Sequence, residues 1–360
     1  MPPIWRWWVT NCMRTSTSIG GFKPARPLYW LALGVALMLL LVVLGLRVGS
    51  YTTSYTFILN TFRHYNPTDP AQLVLVQLRL PRLLLALLAG ASLAVSGYLL
   101  QTLVTNPLAD PYLLGTASGA SLGAIATYVL VPSLTFMGVY LPPVAALAGA
   151  LAATLLVVAL GTRRGRILPA PLLLAGVAVG ALAAALGSLL TFLAAPEGSL
   201  RSVVFWAFGS FERAGWRVLP YPAAVLGISL FVLFFLQKDL NLLLLGEERA
   251  VALGLPVVRL RWLLVLLAAG LTGGVVALCG PVGFVGLLMP HLTRGLLGAT
   301  GRYNMLVCAV LGGSFLLACD LLARLLYPPA GLPVGLVTAL FGVPFFVYLL
   351  RRKELGNLGS

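Results

Sequence analysis

The sequence predicts an all-α polytopic membrane protein with about ten transmembrane helices, and three observations carry that class. Of 360 residues, 60% are hydrophobic and only 9% are charged, whereas an ordinary soluble domain has about 25% charged residues. The 24 Lys and Arg and 9 Asp and Glu cannot solvate a globule of this size, and a mean hydropathy of +0.99 makes lipid the solvent for most of it. Uncharged runs of about 20 residues or more, the length a bilayer crossing needs, recur along the whole chain. Open sheet edges are not viable in lipid, so these runs are read as helices.

The spans follow in order. Residues 27–46 form the first and residues 83–109 the second. Residues 111–162 hold no charge and accommodate two, divided by the segment Pro132–Pro143. Residues 167–196 and 218–237 form one each. Residues 262–293 are too long for one span and short for two, so a full helix is expected, then a shorter one reaching about Gly298. Residues 303–324 and 325–350 complete the set, separated near Tyr327-Pro328-Pro329.

Residues 1–27 are a basic and aromatic leader, with Trp5, Trp7 and Trp8 around Arg6 and no signal-peptide pattern. Residues 28–350 are a single transmembrane domain, with a long connection at about 238–258, and residues 351–360 are a tail. With both termini cytoplasmic, 16 of the 24 basic residues fall inside, among them Arg163, Arg164, Arg166, Arg294, Arg302 and Arg351. That bias sets the orientation. The net charge of +15 is scattered between apolar runs, which points to topology and away from nucleic acid.

Several enzyme classes lack their residues. No HExxH or Walker A motif occurs, and no cluster of Asp, Glu, Lys or His lies inside a span. Asp110 and Asp320 fall near span ends, and His291 lies three residues before Arg294. The cysteines Cys12, Cys279, Cys308 and Cys319 have no metal-ligand spacing and are expected to pack as small apolar residues. No metal site and no cofactor is expected. Gly280-Pro-Val-Gly-Phe-Val-Gly286 resembles a nucleotide loop superficially but joins two apolar spans, so a tight reversal is expected. Glycines four apart (Gly115, Gly119 and Gly123; Gly176 and Gly180; Gly270 and Gly274; Gly331 and Gly335) suit close helix packing in lipid.

Two connections carry more than topology. In the inner one, Glu247 and Glu248 suit the first turn of a short helix, and Gly254 with Pro256 ends it. Ala250 and Leu253 are expected on one exposed face. This is either a membrane-surface hairpin or a helix offered to a partner's groove, and both readings stay open. On the outer side, Arg47, Arg63, Arg79, Arg82 and Arg324 run against the charge bias. One such arginine would be a snorkelling anchor, whereas several suit a surface that pairs with carboxylates.

Four stretches in order carry a family resemblance over nearly the whole chain from about Tyr29. They are Leu78-Arg-Leu-Pro-Arg82 leading into Ala89-Gly-Ala-Ser-Leu-Ala-Val-Ser-Gly97, Asn106-Pro-Leu-Ala-Asp-Pro-Tyr-Leu-Leu-Gly115, Gly246-Glu-Glu-Arg-Ala-Val-Ala-Leu-Gly254, and Gly280-Pro-Val-Gly-Phe-Val-Gly-Leu-Leu-Met-Pro-His291. The sequence resembles the FecCD-type permease subunits of type II ABC importers, which carry iron–siderophores, haem, cobalamin and related chelates. The resemblance implies the type II permease fold and a homodimer in a bacterial cytoplasmic membrane. It further implies two cytoplasmic ABC ATPase subunits and an external substrate-binding protein, periplasmic or lipid-anchored. Ferric siderophore, as the broadest class, is the expected cargo.

By position, Arg79, Arg82 and Arg324 are similar to arginines that meet glutamates of the binding protein. Gly246, Glu247, Glu248, Ala250, Leu253 and Gly254 match the helix that seats in the ATPase. Asn106 and Leu108 match one cytoplasmic gate, and Leu168 and Pro169 fall near a second, without the small hydroxyl residues of the cobalamin importer. Phe205 and Trp206 resemble a short helix beside the pathway. An ion-coupled secondary transporter would need inverted repeats and intramembrane ionisable groups, and an intramembrane enzyme would need catalytic side chains within the spans. Neither set is visible.

Overall fold

The computed structural model describes residues 27–49, 53–131, 135–136, 139–163, 165–194, 206–328 and 331–357. The expectations for the leader before Pro27, for Arg164 and for Phe205 fall outside them. In chain order the helices are α1 (Pro27–Arg47), α2 (Tyr55–Arg63), α3 (Pro70–Val104), α4 (Thr116–Leu130), α5 (Leu141–Gly161) and α6 (Pro169–Ala194). They continue as α7 (Pro220–Phe235), α8 (Gln237–Leu243), α9 (Glu247–Ala252), α10 (Val257–Cys279), α11 (Val285–Leu297), α12 (Asn304–Leu326) and α13 (Val334–Asn357). Setting aside α2, α8 and α9, which lie in connections, ten helices among the described residues occupy the ten expected spans.

The length of each apolar run sets each helix, because a peptide group in lipid must find its partner within the segment. Among the described residues, six helices are long and apolar enough to cross a bilayer by themselves: α1, α3, α5, α6, α10 and α12. The centre of the bundle is α3. In its most apolar window 83% of residues are buried, against 11% for α1, which faces outward from the rest.

Three boundaries differ from expectation. Helix α3 begins at Pro70 rather than at residue 83, and Val74–Arg79 forms a π-turn within it. Arg79 and Arg82 therefore sit inside a continuous helix rather than at its mouth. Helix α7 bends by 71° into α8, which turns the start of the inner connection into a second short helix. Helix α13 continues to Asn357, through residues expected to be a tail.

Glycine pairs set how closely the helices approach. A Cβ added to Gly97 would lie 1.8 Å from the Gly286 carbonyl oxygen, and one added to Gly90 would lie 2.2 Å from that of Gly312. Helices α4 and α5 meet in the same way at Gly119 and Gly149, where the separation is 2.3 Å. Of the glycines singled out by spacing, Gly119, Gly123, Gly176 and Gly335 do abut a neighbouring backbone. Gly115 and Gly331 instead sit in turns at φ of 73° and 75°. The three described cysteines, Cys279, Cys308 and Cys319, are buried and unpaired with one another.

Helices α4 and α11, of 15 and 13 residues, measure about 22 and 20 Å at 1.5 Å per residue, short of a hydrocarbon core about 30 Å thick. Irregular backbone at membrane depth is tolerated only where it is buried in protein or lines a cavity. Here it is satisfied by protein. The Tyr112 hydroxyl donates to the Val282 carbonyl and accepts from the Val282 N–H, both at 2.8 Å. The Ser210 N–H donates to the Cys279 carbonyl at 2.7 Å, and the Asp110 carboxylate caps the Tyr112 N–H at 2.8 Å. The reversal expected at Gly280–Gly286 is present. Its left-handed residues are Gly280 at φ 72° and Phe284 at φ 69°. The Phe284 ring lies against Gly342, where a Cβ would come within 2.2 Å of Cγ.

Candidate functional site

At one end of the bundle the inner connection folds back on itself. Gly246 at φ 105° and Gly254 at φ 84° bracket α9, conformations that only glycine adopts without strain. Glu247 and Glu248 occupy its first turn. Glu248, Arg249, Val251, Ala252 and Leu253 are exposed, Leu253 by 62%. Ala250 does not share their face. It is fully buried, because the inward side of this short helix packs into the core cluster that also holds Leu243 and Leu255.

Glu247 is anchored from below. Its carboxylate pairs with Arg261 of α10 at 2.9 Å, and the same Arg261 nitrogen, Nη1, donates to the Ile167 carbonyl at 3.0 Å. Ile167 ends a two-stranded turn in which Thr162–Arg163 pairs with Arg166–Ile167. Leu168 and Pro169 follow at once and start α6, both half-buried. Asn106 lies in the turn after α3, where its side chain accepts from the Leu108 N–H at 3.0 Å. Among the described residues, no hydrogen bond joins Asn106 or Leu108 to Leu168 or Pro169 within one chain.

Arg294, read from sequence as a topological charge, is buried beside that turn. Its guanidinium donates to Gln101 Oε1 at 2.6 Å and Thr102 Oγ1 at 3.2 Å, and lies 4.7 Å from the centre of the Tyr98 ring. It ties the end of α11 to the end of α3. Trp206 is buried, and its carbonyl oxygen would lie 2.3 Å from a Cβ on Gly280. His291 sets its ring edge-to-face on Phe345. Among the described residues, no group of three or more His, Cys, Asp or Glu side chains is placed to hold a metal ion.

At the opposite end the structure brings Arg79, Arg82 and Arg324 together, but turns them inward rather than onto an exposed surface. Arg79 is buried and donates to the Leu46 carbonyl at 2.8 Å, closing the end of α1. Arg82 holds Asp320 Oδ1 through Nε and Nη2, each at 2.9 Å. Arg324 holds Asp320 Oδ2 at 3.1 Å and donates to the carbonyls of Gly45 and Val48. Asp320 is fully buried, so one carboxylate neutralises one of two guanidiniums that remain 19% and 10% exposed. In the sequence Asp320 reads as an ordinary span-end residue. It is the single acid between Arg302 and Arg324, and that solitude was the available signal.

The comparisons agree with this architecture. The family model described as the FecCD transport family matches residues 37–352. The chain is 41% identical over 291 residues to the cobalamin import system permease protein BtuC of Halobacterium salinarum, covering 81% of this chain and 76% of that one. It is 39% identical to the hemin transport system permease protein HmuU of Yersinia pestis, covering 88% and 95%. Among solved structures, an inward-facing conformation of a metal-chelate type ABC transporter superposes with a TM-score of 0.78 at 32% identity, covering 91% of this chain and 99% of that one.

Proposed function

The chain belongs to the FecCD transport family, and from that premise we propose that it is the membrane-spanning permease subunit of an ATP-driven importer of metal chelates. It sits in the cytoplasmic membrane as a homodimer with both termini inside. Two ATPase subunits work at its inner face and a substrate-binding protein at its outer face. The observation that carries this reading is α9, a short helix held between two left-handed glycines with apolar side chains facing away from the bundle. Val251 and Leu253 in water have no structural use, and a groove on a partner gives them one. The permease itself carries out no hydrolysis. Closure of the ATPase pair moves α9, and the bundle rocks between outward and inward access past Asn106, Leu108, Leu168 and Pro169.

Leu253→Asp tests this directly. Burying a new carboxylate in the partner groove is expected to weaken ATPase association by about thirtyfold, the equivalent of about 2 kcal/mol at a buried anchor. ATP-driven uptake of cobalamin, haemin or a ferric siderophore into proteoliposomes should fall with it, while thermal unfolding of the isolated permease stays unchanged. Normal ATPase association and uptake would sink the assignment of α9.

For the outer end, we propose that Arg82 and Arg324 meet carboxylates of the binding protein, while Arg79, buried against the Leu46 carbonyl, holds the end of α1 beside them. The excess of guanidinium over carboxylate around Asp320 supports this, because a partner carboxylate supplies the missing charge. Arg82→Gln is the informative variant, since it leaves Arg324 and Asp320 as a matched pair. Its expected result is about tenfold weaker binding-protein affinity, equivalent to about 1.4 kcal/mol, by titration in nanodiscs. Unchanged affinity would remove Arg82 from the docking surface.

A further inference from the structure

We propose that Arg261 is the positioning residue that carries movement of α9 to the base of α6. This rests on α9 being the helix that contacts the ATPase. Arg261 lies in the second turn of α10 with its side chain only 7% exposed. Its Nη1 carries two hydrogens aimed at two elements: the Glu247 carboxylate at the start of α9, and the Ile167 carbonyl just before α6. A guanidinium holds a planar fork, so it links both partners at fixed geometry.

The two ends of the link are themselves constrained. Glu247 is the first residue of α9, and Ala250, one turn on, is locked in the core. Ile167 is 1% exposed, and its neighbour Leu168 donates its N–H to the Gly161 carbonyl at 3.2 Å while accepting from the Leu172 N–H at 3.0 Å. A displacement of Ile167 therefore reaches the last residue of α5 and the first turn of α6 together. Among the described residues, the Arg261–Ile167 bond is the side-chain hydrogen bond that joins the α9–α10 corner to the α5–α6 turn. Without it, α9 moves with α10, to which it is covalently joined, and α6 follows only through apolar packing, which slides.

The test uses the full permease–ATPase complex in proteoliposomes, loaded with whichever of cobalamin, haemin or ferrichrome the wild type accumulates. The readout is chelate imported per ATP hydrolysed, a ratio from which any misfolded fraction drops out. Arg261→Gln is expected to retain ATPase association and ATP hydrolysis but to lower that ratio by about tenfold, within the range of ordinary coupling energies. Arg261→Lys keeps a charge for Glu247 without the planar fork and should recover only part of the ratio. Exchanging the pair, Glu247→Arg with Arg261→Glu, restores the ion pair but presents a carboxylate to the Ile167 carbonyl, so the ratio should stay low.

A wild-type ratio in Arg261→Gln, or full rescue by the exchanged pair, overturns the proposal. If Arg261→Gln does not fold, Glu247→Gln removes the α9 joint alone and must lower the ratio, and a wild-type ratio there overturns the proposal equally. Retained ATPase association in Leu253→Asp would mark a different failure, that of α9 as the partner helix, and the proposal would fall with it.

Discussion

Replacing Asp320 by alanine is expected to destabilise the permease by about 3–5 kcal/mol, the range found when one partner of a buried ion pair is removed. The carboxylate has no exposure and is held by Arg82 on one oxygen and Arg324 on the other. Its loss leaves two guanidiniums facing each other across a cavity, near a third at Arg79, which is itself buried. Arg324 also closes the end of α1 through the Gly45 and Val48 carbonyls, so repulsion there should loosen α1 from α12. Thermal unfolding in nanodiscs measures the change. A companion variant, Asp320→Leu with Arg82→Met and Arg324→Met, should recover much of the loss, because apolar replacement of a whole buried ionic group is often neutral. An unfolding temperature for Asp320→Ala within a degree or so of wild type would show that water reaches and screens the cluster.

Gly97→Val is expected to exceed the roughly 1–3 kcal/mol of ordinary overpacking, because the obstacle is backbone and cannot change rotamer. Even the first added carbon would stand 1.8 Å from the Gly286 carbonyl oxygen. To accommodate it, α11 must move off α3. That movement would break the 3.2 Å bond from Gln101 Nε2 to the Leu287 carbonyl and disturb the Tyr112–Val282 pair. The readout is the yield of monodisperse protein in detergent and its unfolding temperature. Gly295→Ala, on α11 with nothing within 4 Å of the new Cβ, is the control. It should be neutral or stabilising by about 0.4–1 kcal/mol through a less flexible unfolded chain. Equal behaviour of the two variants would mean that the α3–α11 crossing is looser than its geometry.

The ten spans were legible in the sequence, most within a few residues, because solvation by lipid is a property of a local run of side chains. The helix at α9 was equally legible, since glycines that stop a helix act on their own neighbours. Ala250 was misplaced for the same local reason. Helical periodicity puts it beside Leu253, and only the core beneath α9 decides that Ala250 is buried while Leu253 stays exposed.

The remaining features depend on what the chain meets far away. Arg82 and Asp320 are 238 residues apart, and Arg294 and Gln101 are 193 apart. No local pattern says that a charge at a span end will find a partner rather than water. Arg261 looked like one more inner cation until folding placed Glu247 and Ile167 around a single nitrogen. Glycine spacing marked faces that could pack closely. It did not say that Gly97 would meet Gly286, because that contact depends on two short helices and on irregular connections buried between them. Local runs of side chains were enough to name lipid as the solvent, to count the expected spans and to mark a short helix between Gly246 and Gly254. The tertiary structure decided which charges are spent inside the bundle, because in lipid a buried charge must be paired wherever packing brings a partner within reach.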